Sequence, residues 1–227
     1  MRKFYIINGV NSELAQIFLK KIYKKNIIVG FYRSTYKGIK NKNIILTKSL
    51  KKLTQLIEKK YNGKKKIIFI NFAAKRDEGL LININFKKIE SVIDSNIVSS
   101  LKIAKRLIPL MIKYNFGRFI FLSSKKAEKG SEGNILYSFS KSGLQGLSRS
   151  ISKEYKAFNI TSNIISLGYF DSKMWRSLNI NVQKKLLKQT LDGKLGNPSV
   201  IIDTINLIIK HRFINMSKID LDGGILE

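Results

Sequence analysis

The chain of 227 residues has no cysteine, a single histidine and only two prolines. Without cysteine there is no disulfide framework and no thiolate-held zinc, and one imidazole, His211, is too few for a multi-histidine metal site. Acidic residues are scarce: 15 Asp and Glu stand against 43 Lys and Arg, a formal net charge of +28. No apolar run approaches the roughly 20 residues that a membrane helix needs, so no membrane association is expected. The start, Met1 to Gly9, has too short an apolar stretch for a signal peptide and no small-residue cleavage site, and it reads as a first strand. Lack of cysteine and of a leader predicts a cytoplasmic location.

What is present is an ordinary globular balance, 44% hydrophobic and 26% charged, long enough to bury a sizeable core. Of the basic residues only eight are Arg, and the lysines are scattered beside many Ile and Asn rather than gathered into an arm. This distribution predicts solvated faces, with attraction of an acidic protein or anionic substrate, and no nucleic-acid partner.

Short apolar runs alternate with amphipathic ones. Strands are expected at Phe4–Asn8, Ile27–Tyr32, Asn43–Leu46, Lys66–Phe72, Arg118–Ser123, Thr161–Leu167 and Lys218–Leu221. Helices are expected at Ser12–Lys24, Leu50–Tyr61, Phe86–Tyr114 (eased by Pro109), Tyr137–Phe158, Val182–Thr190 and Ser199–Lys210. The segment Arg33–Lys42 is too short to hold a full helix. Strict alternation implies right-handed crossovers and a parallel sheet covered on both faces. With no repeat, linker or shift in composition, residues 1–227 read as one α/β domain.

Two constellations suggest chemistry. The first turn, Asn8-Gly9-Val10-Asn11-Ser12-Glu13-Leu14-Ala15, joins a strand to a helix, where a doubly wound sheet seats a pyrophosphate; an ordinary turn with Ser12 as N-cap reads equally from these residues. The second is Ser123-Ser124 at a strand end, followed by Tyr137 and, four residues on, Lys141. That spacing puts the phenol and the ammonium on one helical face. A nearby cation lowers a phenol's pKa from its reference value of ~10, making Tyr a usable proton donor and acceptor, and a serine hydroxyl can hold a carbonyl.

Gly117 to Ser124 and Tyr137-Ser-Phe-Ser-Lys141-Ser-Gly143-Leu144 resemble the core signature of the short-chain dehydrogenase/reductase family. Further likenesses follow in order along nearly the whole chain: Asn71-Phe-Ala-Ala74, Asp94-Ser-Asn96, Asn163 through Gly168 to Met174, and the closing Leu221-Asp-Gly-Gly224. The resemblance implies a Rossmann-type, doubly wound parallel sheet of about seven strands. It implies hydride transfer between a nicotinamide and a carbonyl or alcohol, with Tyr137 as acid/base and Ser124 polarising the carbonyl. Lys141 would lower the Tyr137 pKa and hold the nicotinamide ribose, and Asn96 would hold a water in the proton relay. Cofactor contacts are implied at Gly9, Asn11, Ser12, Leu14, Arg33, Asn71, Ala73, Tyr137, Lys141, Gly168, Phe170 and Ser172.

The chain departs from the family pattern where Glu13 and Ala15 replace two glycines of the first turn and Leu167 replaces a proline. A carboxylate at Glu13 would repel a pyrophosphate unless it points outward from the helix. Strand two ends in Arg33 with no acid beside it, which favours NADP(H) over NAD(H), Arg33 pairing with the 2′-phosphate; the alternative is a solvent-facing cation. The stretch Ala73 to Leu81 and Met174-Trp175-Arg176 are similar to segments of 3-oxoacyl-[acyl-carrier-protein] reductases, implying a 3-oxoacyl thioester substrate. Trp175 would then belong to a lid over the substrate, and Arg176, with Lys125, Lys126 and Lys129, would meet an acidic acyl carrier protein. Alternatives are a dehydrogenase of sugars, sugar nucleotides or small alcohols, and a non-catalytic nucleotide-binding relative. The two long helices imply a homodimer or homotetramer, and no metal is expected.

Overall fold

Period-two alternation explains the core. In β1 (Lys3–Asn8), Phe4 and Ile6 point to one side and Tyr5 and Ile7 to the other, and all four are buried. The same holds in β4 (Lys66–Asn71) and β5 (Gly117–Ser124), so these strands are apolar on both faces, as a parallel sheet between two helical layers requires. The computed structural model describes residues 3–61 and 66–225. Its sheet has seven parallel strands in the order β3-β2-β1-β4-β5-β6-β7, completed by β2 (Ile27–Phe31), β3 (Ile44–Thr47), β6 (Ile160–Leu167) and β7 (Lys218–Leu221).

One face packs Tyr5, Ile7, Ile70 and Ile120 against α1 (Glu13–Ile22) and α9 (Ser199–Lys210), through Phe18, Leu19, Ile205 and Ile208. The other packs Phe4, Phe69, Phe119 and Phe121 against α2 (Leu50–Lys60), α4 (Ser99–Lys113) and α6 (Ile135–Glu154). Each such side chain contributes roughly 1.5–3 kcal/mol through its burial. No helix connects β2 to β3, as the short Arg33–Lys42 segment led us to expect.

The expected continuous helix Phe86–Tyr114 is broken, and the break is not at Pro109, which sits within α4. It lies at Asp94–Val98, a π-helical turn between α3 (Phe86–Ile93) and α4 in which the Ser99 N–H donates to the Asp94 carbonyl. Hydropathy cannot reveal one extra residue in a turn. Three short helices complete the chain: α5 (Lys126–Lys129), α7 (Lys173–Arg176) and α8 (Ile180–Leu187). The first two fall where the sequence suggested loops.

From β1 the chain steps outward to β2 and β3, then crosses back to β4 on the other side of β1. The reversal opens a crevice beyond the carboxyl ends of these strands, the usual ligand position in such sheets. Asn8 and Asn71 end β1 and β4 in register, and Asn8 Nδ2 donates to Asn71 Oδ1 (2.9 Å) and Ser99 Oγ (2.9 Å), pinning the floor of the crevice to α4.

Candidate active site

A cavity of about 1470 Å³ occupies this crevice. It exceeds the ~300–1,000 Å³ of pockets for drug-sized ligands. Its walls include Gly9, Asn11, Ser12, Leu14, Arg33 and Ala73 at one end, then Ser124, Tyr137 and Lys141, then Gly168, Phe170, Ser172, Trp175 and Arg176. Two of the expected site residues do not line it: Asn71 and Asn96 are fully buried.

Gly9 opens the turn after β1 with φ +76°, and a Cβ there would sit 2.6 Å from the Ala73 nitrogen. Only glycine fits this close approach of β1 and β4. Ser12 caps α1, its Oγ accepting from the Ala15 N–H at 3.1 Å. Ala15, in place of a glycine, is buried in the core. Asn11 donates to Ser34 Oγ (2.9 Å) and the Thr35 carbonyl (3.0 Å), while its own Oδ1 is buried without a partner. Arg33 does not stand free: its guanidinium lies 2.5 Å from Asp94 Oδ2 and donates to the Asp94 carbonyl at 3.0 Å.

At the centre, Tyr137 comes from the first turns of α6 and Ser124 from the end of β5, both lining the cavity, with the Ser124 hydroxyl near enough to the phenol to favour its ionised form. Ser124 Oγ also accepts from the Lys126 N–H at 3.3 Å. The neighbouring Ser123 has a structural part, its hydroxyl donating to the Lys141 carbonyl. Lys141 is 2% exposed and donates from Nζ to the Ala73 and Leu122 carbonyls, both at 2.8 Å, with Nζ 5.8 Å from the centre of the Tyr137 ring.

Burial raises the Tyr137 pKa, opposed by the hydrogen bond from Ser124 and the charge of Arg76. Lys141, which the resemblance implied would acidify the phenol, lies under the same ring with its Nζ turned to backbone carbonyls. Burial lowers the Lys141 pKa from 10.5 to about 7, and its ammonium is directed at backbone carbonyls. Nothing in the local pattern signals that Arg76, 61 residues upstream, would face the phenol.

Asn96 is also placed differently from the expectation of a side chain holding water. Its Nδ2 donates to the Lys75 carbonyl (2.8 Å) and Ser140 Oγ (2.9 Å), and its Oδ1 accepts from the Lys75 N–H (2.8 Å). The π-helical turn thus fastens the segment after β4 to α6, which carries Tyr137.

Glu13 does not point outward. Its carboxylate accepts from the Lys173 N–H and pairs with Arg176 at 2.6 Å, while Arg176 also binds Asp171. Two acids held close to one guanidinium explain why Arg176 is not presented as a free cation for a carrier protein. Lys125 is likewise drawn into acids, 3.2 Å from Asp222, 3.4 Å from Glu128 and 3.8 Å from Asp220. Trp175 is buried beside Tyr169, ring centres 5.5 Å apart, on the wall formed by the segment after β6.

Residues 41–183 match the family model of the short chain dehydrogenases. The chain belongs to that family. This short-chain dehydrogenase is an oxidoreductase by family. It is 29% identical over 236 aligned residues, 98% of this chain and 97% of the relative, to a 3-oxoacyl-[acyl-carrier-protein] reductase of Buchnera aphidicola subsp. Acyrthosiphon pisum. It is 31% identical over 159 residues to the enzyme of that name from Chlamydia trachomatis, covering 69% of this chain and 64% of the relative. Its fold is shared by a short chain dehydrogenase family protein from Francisella tularensis, with a TM-score of 0.85, 17% identity and 99% of both chains covered.

Proposed function

We propose that this dehydrogenase reduces a carbonyl to a secondary alcohol with NADPH, its substrate being a 3-oxoacyl thioester on an acyl carrier protein or coenzyme A. The observation that carries the reading is the Ser124–Tyr137 hydroxyl pair at the centre of a cavity whose far end is the Gly9 turn.

The residues present fit a dinucleotide. Gly9 lets β1 and β4 close up at the end of the cavity, α1 offers its N-terminus there, and Asn11 Oδ1 is an acceptor without a partner within the chain. Gly9, Asn11, Ser12, Leu14 and Arg33 would hold its adenosine and phosphate half. Asn71, Ala73, Lys141, Gly168, Phe170 and Ser172 would surround the other half, Asn71 from behind the wall. When bound, the nicotinamide supplies the hydride.

The protein supplies position and a proton. Ser124 holds the carbonyl oxygen against the Tyr137 hydroxyl. Because burial raises its pKa, Tyr137 remains protonated at neutral pH and can give its proton to the developing alkoxide, which suits reduction. Lys141 has three N–H bonds when charged, two of which go to carbonyls. The third is available to a ribose hydroxyl. Asn96 acts by fixing Lys75 and Ser140, and so the position of α6. Trp175 would cover the substrate and keep water out.

The relatives' names favour the thioester over a sugar or small alcohol. Half-exposed Leu101 and the more exposed Phe139 lie on α4 and α6, which supports assembly through these helices into a homodimer or homotetramer. The test is NADPH oxidation with acetoacetyl-CoA. Turnover that Tyr137→Phe abolishes supports the reading, and failure of the wild-type protein to oxidise NADPH with any oxo substrate overturns it.

A further inference from the structure

Two cations line the cavity beside the hydroxyl pair, Arg76 after β4 and Lys126 at the start of α5. Both are withdrawn from water; the Arg76 side chain is only 19% exposed. Their charges also oppose each other: the Lys126 pKa is lowered first by burial, then by Arg76. Holding like charges together in a partly desolvated cleft is unfavourable. Glu78 offsets part of that cost, pairing with Arg76 at 2.8 Å and reaching Lys126 by its charge. But Glu78 is 56% exposed and faces solvent, while both cations face the cavity. Two positive charges against one carboxylate leave an excess on the substrate side. Lys125 next door is fully answered by Asp222, Glu128 and Asp220, so the excess does not simply reflect a basic chain.

We propose that Arg76 and Lys126 form an anion-binding subsite that grips a phosphate or carboxylate carried by the substrate. The inference rests on the carbonyl-reducing reading of the site and names the group by which the substrate is recognised. Such an anion has two sources, the phosphate of a carrier arm bearing the acyl group or the free carboxylate of an oxo acid. In either case it replaces a repulsive contact by two charge-assisted hydrogen bonds, the guanidinium meeting it through a two-pronged fork.

Two matched substrate pairs test this with NADPH saturating. One compares acetoacetyl-4′-phosphopantetheine with acetoacetyl-pantetheine, and the other compares acetoacetate with ethyl acetoacetate. In at least one pair the charged member is expected to have at least a tenfold higher kcat/KM. Lys126→Met and Arg76→Met should each reduce that ratio to within about twofold. Lys24→Met removes the same charge from the turn after α1 and should leave the ratio intact, which separates a subsite from the general field of the protein. Preference within the first pair identifies a carrier arm, and within the second an oxo acid. Charged and neutral members turned over equally, or a ratio that Lys24→Met lowers as much as Lys126→Met, overturn the subsite while the reductase reading stands. Absence of turnover with all four overturns both.

Discussion

Arg176 and Glu13 are 163 positions apart, yet the guanidinium lies 2.6 Å from the carboxylate. The contact joins the first turn of α1 to the segment after β6 that walls the cavity. On the proposed function, Glu13 thereby occupies, with its own negative charge, a place close to where a pyrophosphate would bind, and it holds the segment after β6 by the Lys173 N–H as well. Glu13→Ala is expected to tighten NADPH binding severalfold, most at low salt, and to speed proteolysis within 172–178 of the free protein. Fluorescence titration and limited proteolysis check both. Unchanged or weaker cofactor binding would show that the carboxylate does not compete.

A similar competition surrounds Arg33. Its guanidinium is held by Asp94, so a 2′-phosphate must share or displace that partner. Arg33→Ala should weaken NADPH about tenfold while barely changing NADH, the scale of ~1.4 kcal/mol. Asp94→Asn should move the ratio the other way. The two dissociation constants measured side by side decide; an Arg33 variant that loses both cofactors equally would contradict the assignment.

Lys141 predicts a pH dependence whose sign follows from its donors. Below pH about 7 the free protein has a charged ammonium with a third N–H to spare; above it, a neutral amine has two, both spent on carbonyls. NADPH affinity should hold steady below pH 7 and fall by up to tenfold per unit above it, and Lys141→Met should bind weakly with no such slope. Stability runs the opposite way. The folded pKa lies below the unfolded 10.5, so between the two the unfolded chain binds the extra proton and stability rises with pH. Lys141→Met should therefore raise Tm most below pH 7, with the gain vanishing near pH 10.5. A gain that grows with pH would contradict a buried ammonium.

Gly9→Ala tests the turn itself. A Cβ 2.6 Å from backbone, at φ +76°, should cost about 1–3 kcal/mol for the dihedral alone, lowering Tm, and should move the Ala73 backbone out of register with the cofactor. A thermal melt that matches the wild type would mean the approach of β1 and β4 is looser than described.

The central strands β1, β4 and β5 were legible because each is largely a run of β-branched and aromatic residues, and burial on both faces leaves such a pattern plain. Ser124, Tyr137 and Lys141 could be placed together because a strand end and one helical turn fix them locally. What escaped the sequence depends on contacts between distant segments. Glu13 finds Arg176, Arg33 finds Asp94, and Arg76 faces Tyr137 only once the strands from β2 to β6 are gathered into one sheet. The π-helical turn that directs Asn96 to Lys75 and Ser140 changes no hydrophobic spacing. Arg176 and Lys125 looked like free surface cations because Glu13 in one case and Asp220 and Asp222 in the other are remote from them in the chain.

Removing the proton donor should be far more damaging than any of these changes. Tyr137→Phe keeps the ring in its buried seat and should lower kcat by about 10²–10⁴-fold with little change in cofactor affinity. Ser124→Ala should fall in the same range. Steady-state kinetics beside NADPH titration separate this from a folding defect, which would lower both.

The most direct measurement follows the hydride. Incubating the protein with an acetoacetyl thioester and NADPH deuterated at the transferring carbon should place one deuterium on the carbinol carbon of a 3-hydroxyacyl product, readable by mass spectrometry, and Tyr137→Phe should suppress it. NADPH oxidised without label in the product, or equal labelling by Tyr137→Phe, would contradict carbonyl reduction at this site.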